Sequence, residues 1–169
     1  MRHLAKLFVA FCALGLSSCS DAKDHIVGTW VATDYVCENR GDEISEAVIE
    51  NGKKEFLYER FEFDPSGSYK WSFARGFILV EGTYAIKGDS LIMTPSKVSS
   101  REKLEDDFKE VDASVNEIHM DFCIITINDC RNKIEKYRIR KISDKSMVLA
   151  YDRKGGSLDF TNVYMLEKK

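Results

Sequence analysis

Beyond residue 25 the chain alternates apolar and polar positions with a period of two, the mark of half-buried strands. Val27 to Cys37 is rich in Thr, Val, Trp and Tyr, types that fit a pleated surface, and predicts a first strand. Leu57 to Phe63 predicts a second. Asp64-Pro65-Ser66-Gly67 then supplies a turn, since proline presets φ and glycine takes the left-handed position. In the following strand Tyr69, Trp71 and Phe73 share one face, with Lys70 and Ser72 on the other. Phe77 to Ile86 predicts another strand, and Lys87-Gly88-Asp89 turns it into Ser90 to Thr94, which Pro95 is expected to end. Ile118, Met120, Phe122 and Ile124 alternate with Glu117, His119, Asp121 and Cys123 and predict a further strand. Ile134 to Ile142, Met147 to Asp152 and Leu158 to Leu166 follow, separated by Ser143-Asp144-Lys145 and Lys154-Gly155-Gly156. Two segments depart from this period. Residues 43–54 place Ile44, Ala47 and Val48 at helical spacing, and the charged stretch 99–112 reads as a surface helix or loop.

Short strands joined mainly by tight turns make an antiparallel meander. A meander with one apolar face removes its exposed edges by closing on itself. The expected fold is therefore all-β: an antiparallel up-and-down barrel of eight or nine strands with one or two short helices. A two-sheet sandwich is the alternative. No repeat or low-complexity linker divides residues 26–169, so they are read as one domain.

The first residues follow other rules. Arg2 and Lys6 precede an almost wholly apolar run from Leu7 to Leu16, a charged start and short hydrophobic core as in an export signal. A permanent membrane span needs roughly 20 apolar residues, so this run is too short for one. Leu16-Ser17-Ser18-Cys19 resembles the lipobox of bacterial lipoproteins. That resemblance implies cleavage before Cys19 and acylation of its thiol and its new amine by chains such as palmitate. Residues 1–18 are then the signal peptide, and Cys12 is discarded with them. Residues 19–25 are a lipidated polar tether. Ser20 after the cysteine, in place of aspartate, implies the outer membrane, and the implied location is the cell envelope, lipid-anchored.

Loss of Arg2 and Lys6 takes the formal charge from −3 to −5. This balance argues against a nucleic-acid partner, which calls for a basic face. Cys37, Cys123 and Cys130 remain in an exported, oxidising setting. Three is odd, so at most one pair forms. Cys123 with Cys130 is favoured, because Asn128 and Asp129 offer turn chemistry between them; Cys37 with either is the rival. Glu117, His119 and Asp121 would share a strand face, but same-face neighbours stand about 7 Å apart and do not converge on one ion unaided. No metal and no cofactor is expected. The chain has no G-x-S-x-G, P-loop or G-x-G-x-x-G, so it is not read as an enzyme. Asp34, Arg60, Lys70 and Arg138 are expected to point outward from their strands.

Gly28-Thr29-Trp30 opens the first strand and resembles the G-x-W start of lipocalins and bacterial lipocalin-like lipoproteins. Phe63-Asp64-Pro65-Ser66-Gly67-Ser68-Tyr69, Gly82-Thr83-Tyr84 and Lys87-Gly88-Asp89-Ser90-Leu91 resemble the hairpin phrasing of the bacterial group. The resemblance implies a barrel that binds a small apolar or amphipathic ligand at its open end, with Trp30 a buried plug at the closed end. The family's late arginine over that tryptophan has no placed counterpart. Trp71 is expected at the mouth or toward solvent. The alternative function is a protein-interaction module, an envelope assembly subunit or hydrolase inhibitor, with a filled barrel. It would act through segments such as 38–50 and 99–116.

If the lipobox reading holds, Cys19→Ser abolishes acyl labelling and releases the protein from membranes. Unchanged membrane fractionation of that variant, with no acyl mass on the wild type, contradicts it.

Overall fold

Eight strands follow one another around a closed antiparallel barrel, each hydrogen-bonded to its sequence neighbours, with the last joined to the first. A computed structural model describes residues 18–39, 50, 53, 59–73, 77–109, 123–124, 126–128, 133–153 and 160–169. The chain runs α1 (Ser18–Ile26), β1 (Gly28–Asn39), β2 (Glu59–Phe63), β3 (Ser68–Phe73), β4 (Phe77–Lys87), β5 (Ser90–Val98), α2 (Arg101–Phe108), β6 (Glu135–Ile142), β7 (Ser146–Arg153) and β8 (Phe160–Lys168). No helix among the described residues is long and apolar enough to cross a membrane.

Closure falls on β1. Its first residues pair with β2, Trp30 opposite Phe61, and from Trp30 to Asn39 it pairs with β8, Tyr35 opposite Tyr164. The tight turns of β2–β3, β4–β5 and β6–β7 gather at one end. The strand ends that the longer connections join, at Asn39, Glu59, Val98, Glu135, Arg153 and Phe160, gather at the other, the mouth.

The closed end is covered by α1. Residues 19–25, expected as a polar tether, are helical, and Ala22 and Ile26, four apart on one helix face, are buried. The last carbonyls of a helix need donors from outside it. Here the Trp30 indole Nε1 donates to the Ile26 carbonyl at 2.6 Å and the Lys168 ammonium to the His25 carbonyl at 3.0 Å. Lys168 Nζ also lies 5.2 Å from the centre of the Trp30 ring, in cation–π range. The cation over the tryptophan is thus Lys168, the last residue of β8. Trp30 is fully buried, as its place beside Gly28 implies.

Bulges account for most departures from simple alternation. The register slips between Glu81 and Gly82, so that Glu81 faces Lys97 while Gly82 faces Pro95. Ser96 is the extra, unpaired residue, and a bulge of this kind is where a strand tolerates a neighbouring proline, which has no N–H to give. Pro95 therefore does not end β5, which continues to Val98. Gly82 is required there: a Cβ would lie 2.8 Å from the Tyr69 ring and 2.9 Å from the Pro95 backbone, and closer still to the Thr94 carbonyl. At a second slip, between Trp71 and Ser72, Leu79 of β4 is the extra residue; Ser72 is buried along with its neighbours. Trp71 is not at the mouth or toward solvent but inside, its ring 5.3 Å from Phe61.

Asp34 is half-buried, and Arg60, Lys70 and Arg138 are exposed. The expected strand ending at Ile124 is not formed there. Cys123 and Ile124 are helical, as are residues 126–128, because Cys123 and Ile127, four apart, turn one face onto the core. Glu117, His119 and Asp121 lie outside the described residues. Of residues 43–54, Glu50 and Lys53 are described, both helical.

Trp30→Ala removes a fully buried ring and a donor that caps α1. It is expected to cost about 3–5 kcal/mol, which lowers Tm by roughly 10 °C or more in a domain of this size. An unchanged melting curve contradicts the plug. Gly82→Ala should destabilise by about 1–3 kcal/mol, since only backbone and a packed ring stand in the way; chemical denaturation checks it.

Candidate functional site

Strand alternation carries two carboxylates into the interior. Glu59 sits two residues before Phe61 and Glu135 two before Tyr137, so each shares the face of its aromatic neighbour. Glu59 is 0% exposed and pairs in register with Phe73; Glu135 is buried opposite Met93. Both lie toward the mouth. Their spacing from Phe61 and Tyr137 in the sequence is the signal that places these two glutamates in the interior.

Around them stands an arc of tyrosines from β1, β6, β7 and β8. Tyr35 and Tyr164 meet edge to face at 5.9 Å, Tyr164 and Tyr137 likewise at 5.9 Å, and Tyr137 and Tyr151 at 5.3 Å. The Tyr35 hydroxyl donates to Asn162 Oδ1 at 2.6 Å. Lys133 stands at the rim, 5.5 Å from the centre of the Tyr151 ring and 3.5 Å from Glu135 Oε1. Burial pushes the Tyr164 phenol well above its ordinary range, and the Glu59 charge adds to this. Burial also raises Tyr151, against the pull of Lys133. These phenols stay protonated at neutral pH and act as hydrogen-bond donors and apolar walls rather than as bases.

A cover lies over this end. Leu104 of α2, Cys123 and Ile127 are all buried in the same core cluster as Phe73, Leu79 and Tyr164. Ser100 caps α2, accepting from the Lys103 amide at 3.2 Å, and Ser99 ties it to β4 through the Leu79 and Ile78 carbonyls. Between α2 and the β4–β5 wall runs an open cleft of about 400 Å³, lined by Leu79, Lys97, Val98, Ser99 and Lys103 among others. A second, shallower cleft of about 260 Å³ lies outside the β2–β3 hairpin.

The closed half is different. Trp30, Phe61 and Phe63 fill it, with Phe63 6.3 Å from Phe61, and Trp71, stacked on Phe61, stands at its boundary with the mouth half, one same-face step from Phe73 opposite Glu59. Trp71 Nε1 is the exception to its apolar character: a buried indole donor with no acceptor among the described residues. Such groups are uncommon, because an unsatisfied buried donor costs about 1–3 kcal/mol.

Among the described residues Cys37 and Cys123 form no disulfide. Cys37 is half-buried, and burial raises it. Cys123 is pushed up to about 12, first by burial and then by the Glu59 charge. Cys130, the expected partner of Cys123, lies outside the described residues. Among the described residues no three His, Cys, Asp or Glu side chains gather as metal ligands. Cys19 lies in the described helix α1.

No family model matches the chain, and no curated protein matches it. Among solved structures it is similar to an uncharacterized protein from Bacteroides eggerthii, with 18% identity, 85% of this chain and 98% of that one covered, and a TM-score of 0.46. It is also similar to a duf4847 family protein from Bacteroides vulgatus, with 15% identity, 85% and 95% covered, and a TM-score of 0.43.

Proposed function

We propose that the chain is a non-enzymatic envelope lipoprotein, held at the outer membrane by acylated Cys19, whose lipocalin-like barrel takes a small amphipathic molecule at its mouth. The observation that carries this is the division of the interior. The closed half is filled by stacked apolar rings, while the mouth half sets Glu59, Glu135, Asn162 and four tyrosines beneath a helical cover. A barrel that served as a scaffold alone would gain more stability from apolar filling there, since buried polar groups at best break even against it. An amphipathic ligand would lay its apolar part against the tyrosine faces and offer an acceptor to Trp71 Nε1. The cover of α2 and residues 123–128 would have to move for entry, and the cleft beside α2 leaves space for that movement.

A filled barrel that acts through its surface is the second reading. What favours it is that both clefts described above lie outside the barrel.

Native mass spectrometry of the domain purified from its own cells separates the two. The first reading expects a bound small molecule, held roughly tenfold more weakly by Trp71→Phe, which keeps an aromatic ring but removes the buried donor together with part of the indole's volume. Cys123 reports the cover. With its thiol near 12, only on the order of one molecule in 10⁴ is thiolate at pH 8, so alkylation there awaits opening and ligand should slow it further. No bound molecule and no protection of Cys123 by cell extract favours the filled barrel. Resistance of Cys123 even after unfolding, relieved by reductant, assigns it to the Cys123–Cys130 bridge.

A further inference from the structure

The tether is helical, and that fixes more than an attachment point. Cys19 lies three residues before Ala22, about 4.5 Å along a helix axis, and Ala22 is packed into the protein. The helix contacts β4 and β6, and its far end is held by three separate contacts. Trp30 Nε1 binds the Ile26 carbonyl, Lys168 Nζ binds the His25 carbonyl, and His25 Nδ1 lies 2.7 Å from Asp144 Oδ1 in the β6–β7 turn. No flexible spacer is left between the lipid-bearing residue and the closed end.

We infer that the closed end of the barrel rests on the lipid surface and the covered mouth points away from it. This stands on the reading of Cys19 as the lipid anchor. Acylation of the Cys19 amine suits the arrangement, because it removes a positive charge that would oppose the helix dipole at the N-terminus of α1. The turns of the closed end carry both signs: Lys87, Lys145 and Lys169 beside Asp64, Asp89 and Asp144. Such a surface has no strong preference for anionic lipid, so the short helical tether, not charge, sets the orientation. A mainly zwitterionic headgroup surface is the partner it fits. The nine residues of β5 span about 30 Å, which with the usual barrel tilt lifts the mouth roughly 20 Å above the closed end. A ligand would then enter from the aqueous side rather than from the bilayer.

Full-length mature protein in nanodiscs of phosphatidylethanolamine with a minor phosphatidylglycerol fraction, doped with a gadolinium-chelating headgroup lipid, tests this through amide relaxation. Broadening at Gly67, Gly88 and Lys145 should exceed that at Lys97, Arg101 and Lys109 several-fold, and raised salt should leave the ratio unchanged. A flexible Gly-Ser insert of about ten residues between Ser20 and Asp21 should abolish the difference, since such a linker behaves as a random coil. Equal or reversed broadening on protein whose mass shows acylated Cys19 overturns the orientation and leaves the anchor standing. Absence of any acyl mass on Cys19 overturns both.

Discussion

The donation from the Trp30 indole to the Ile26 carbonyl is the contact on which the rest of this barrel depends. It does three things in one place. It satisfies a helix carbonyl that has no partner within α1, it fixes α1 across the closed end, and it holds a large ring at the start of β1. β1 is the strand through which the barrel closes, paired with β2 at its beginning and with β8 from Trp30 to Asn39. Lys168, at the end of β8, completes the arrangement by reaching the His25 carbonyl while lying over the Trp30 ring. The first and last strands are therefore joined by their backbone ladder and again by this cluster of helix end, indole and ammonium.

With one end so fastened, the two halves of the interior are free to differ. Next to the plug, Phe61, Phe63 and Trp71 pack against one another and leave side-chain filling as the source of stability. Toward the mouth the same alternation brings in Glu59, Glu135 and the tyrosines, and the chain covers them with Leu104, Cys123 and Ile127. Outside, the exposed face of α2 carries pairs such as Arg101–Glu105 and Lys103–Asp107, both at 2.6 Å. Exposed pairs of this kind contribute only a few tenths of a kcal/mol each. The cover is held by its few buried side chains and the Ser99 and Ser100 bonds.

The strands were legible because their signals are local. Proline, glycine and aspartate mark the 64–67 turn, and period two marks the face of Tyr69, Trp71 and Phe73. What escaped reading depends on partners far along the chain. Pro95 looks like a strand end until Gly82 is seen opposite it, at a bulge that sequence spacing does not reveal. Cys123 and Ile124 alternate like a strand, yet Cys123 and Ile127, four apart, are buried in a core built by residues far along the chain, and it selects a helical face. The polar residues 19–25 read as a spacer because two apolar residues, Ala22 and Ile26, are too few to announce a helix. Glu59 and Glu135 were in plain phase with their aromatic neighbours, but a charged residue in a strand is ordinarily assigned to solvent.

The central claim is that Trp30 is structural, while Trp71, whose buried indole N–H has no acceptor among the described residues, is proposed to meet the ligand. With two tryptophans in the chain, the indole N–H resonances of the domain provide a direct reading of it. On addition of the small-molecule extract of its own cells, the account predicts that the Trp71 resonance moves while that of Trp30 stays fixed and slow to exchange. Movement of the Trp30 resonance alone, or no movement of either at saturating extract, would contradict it.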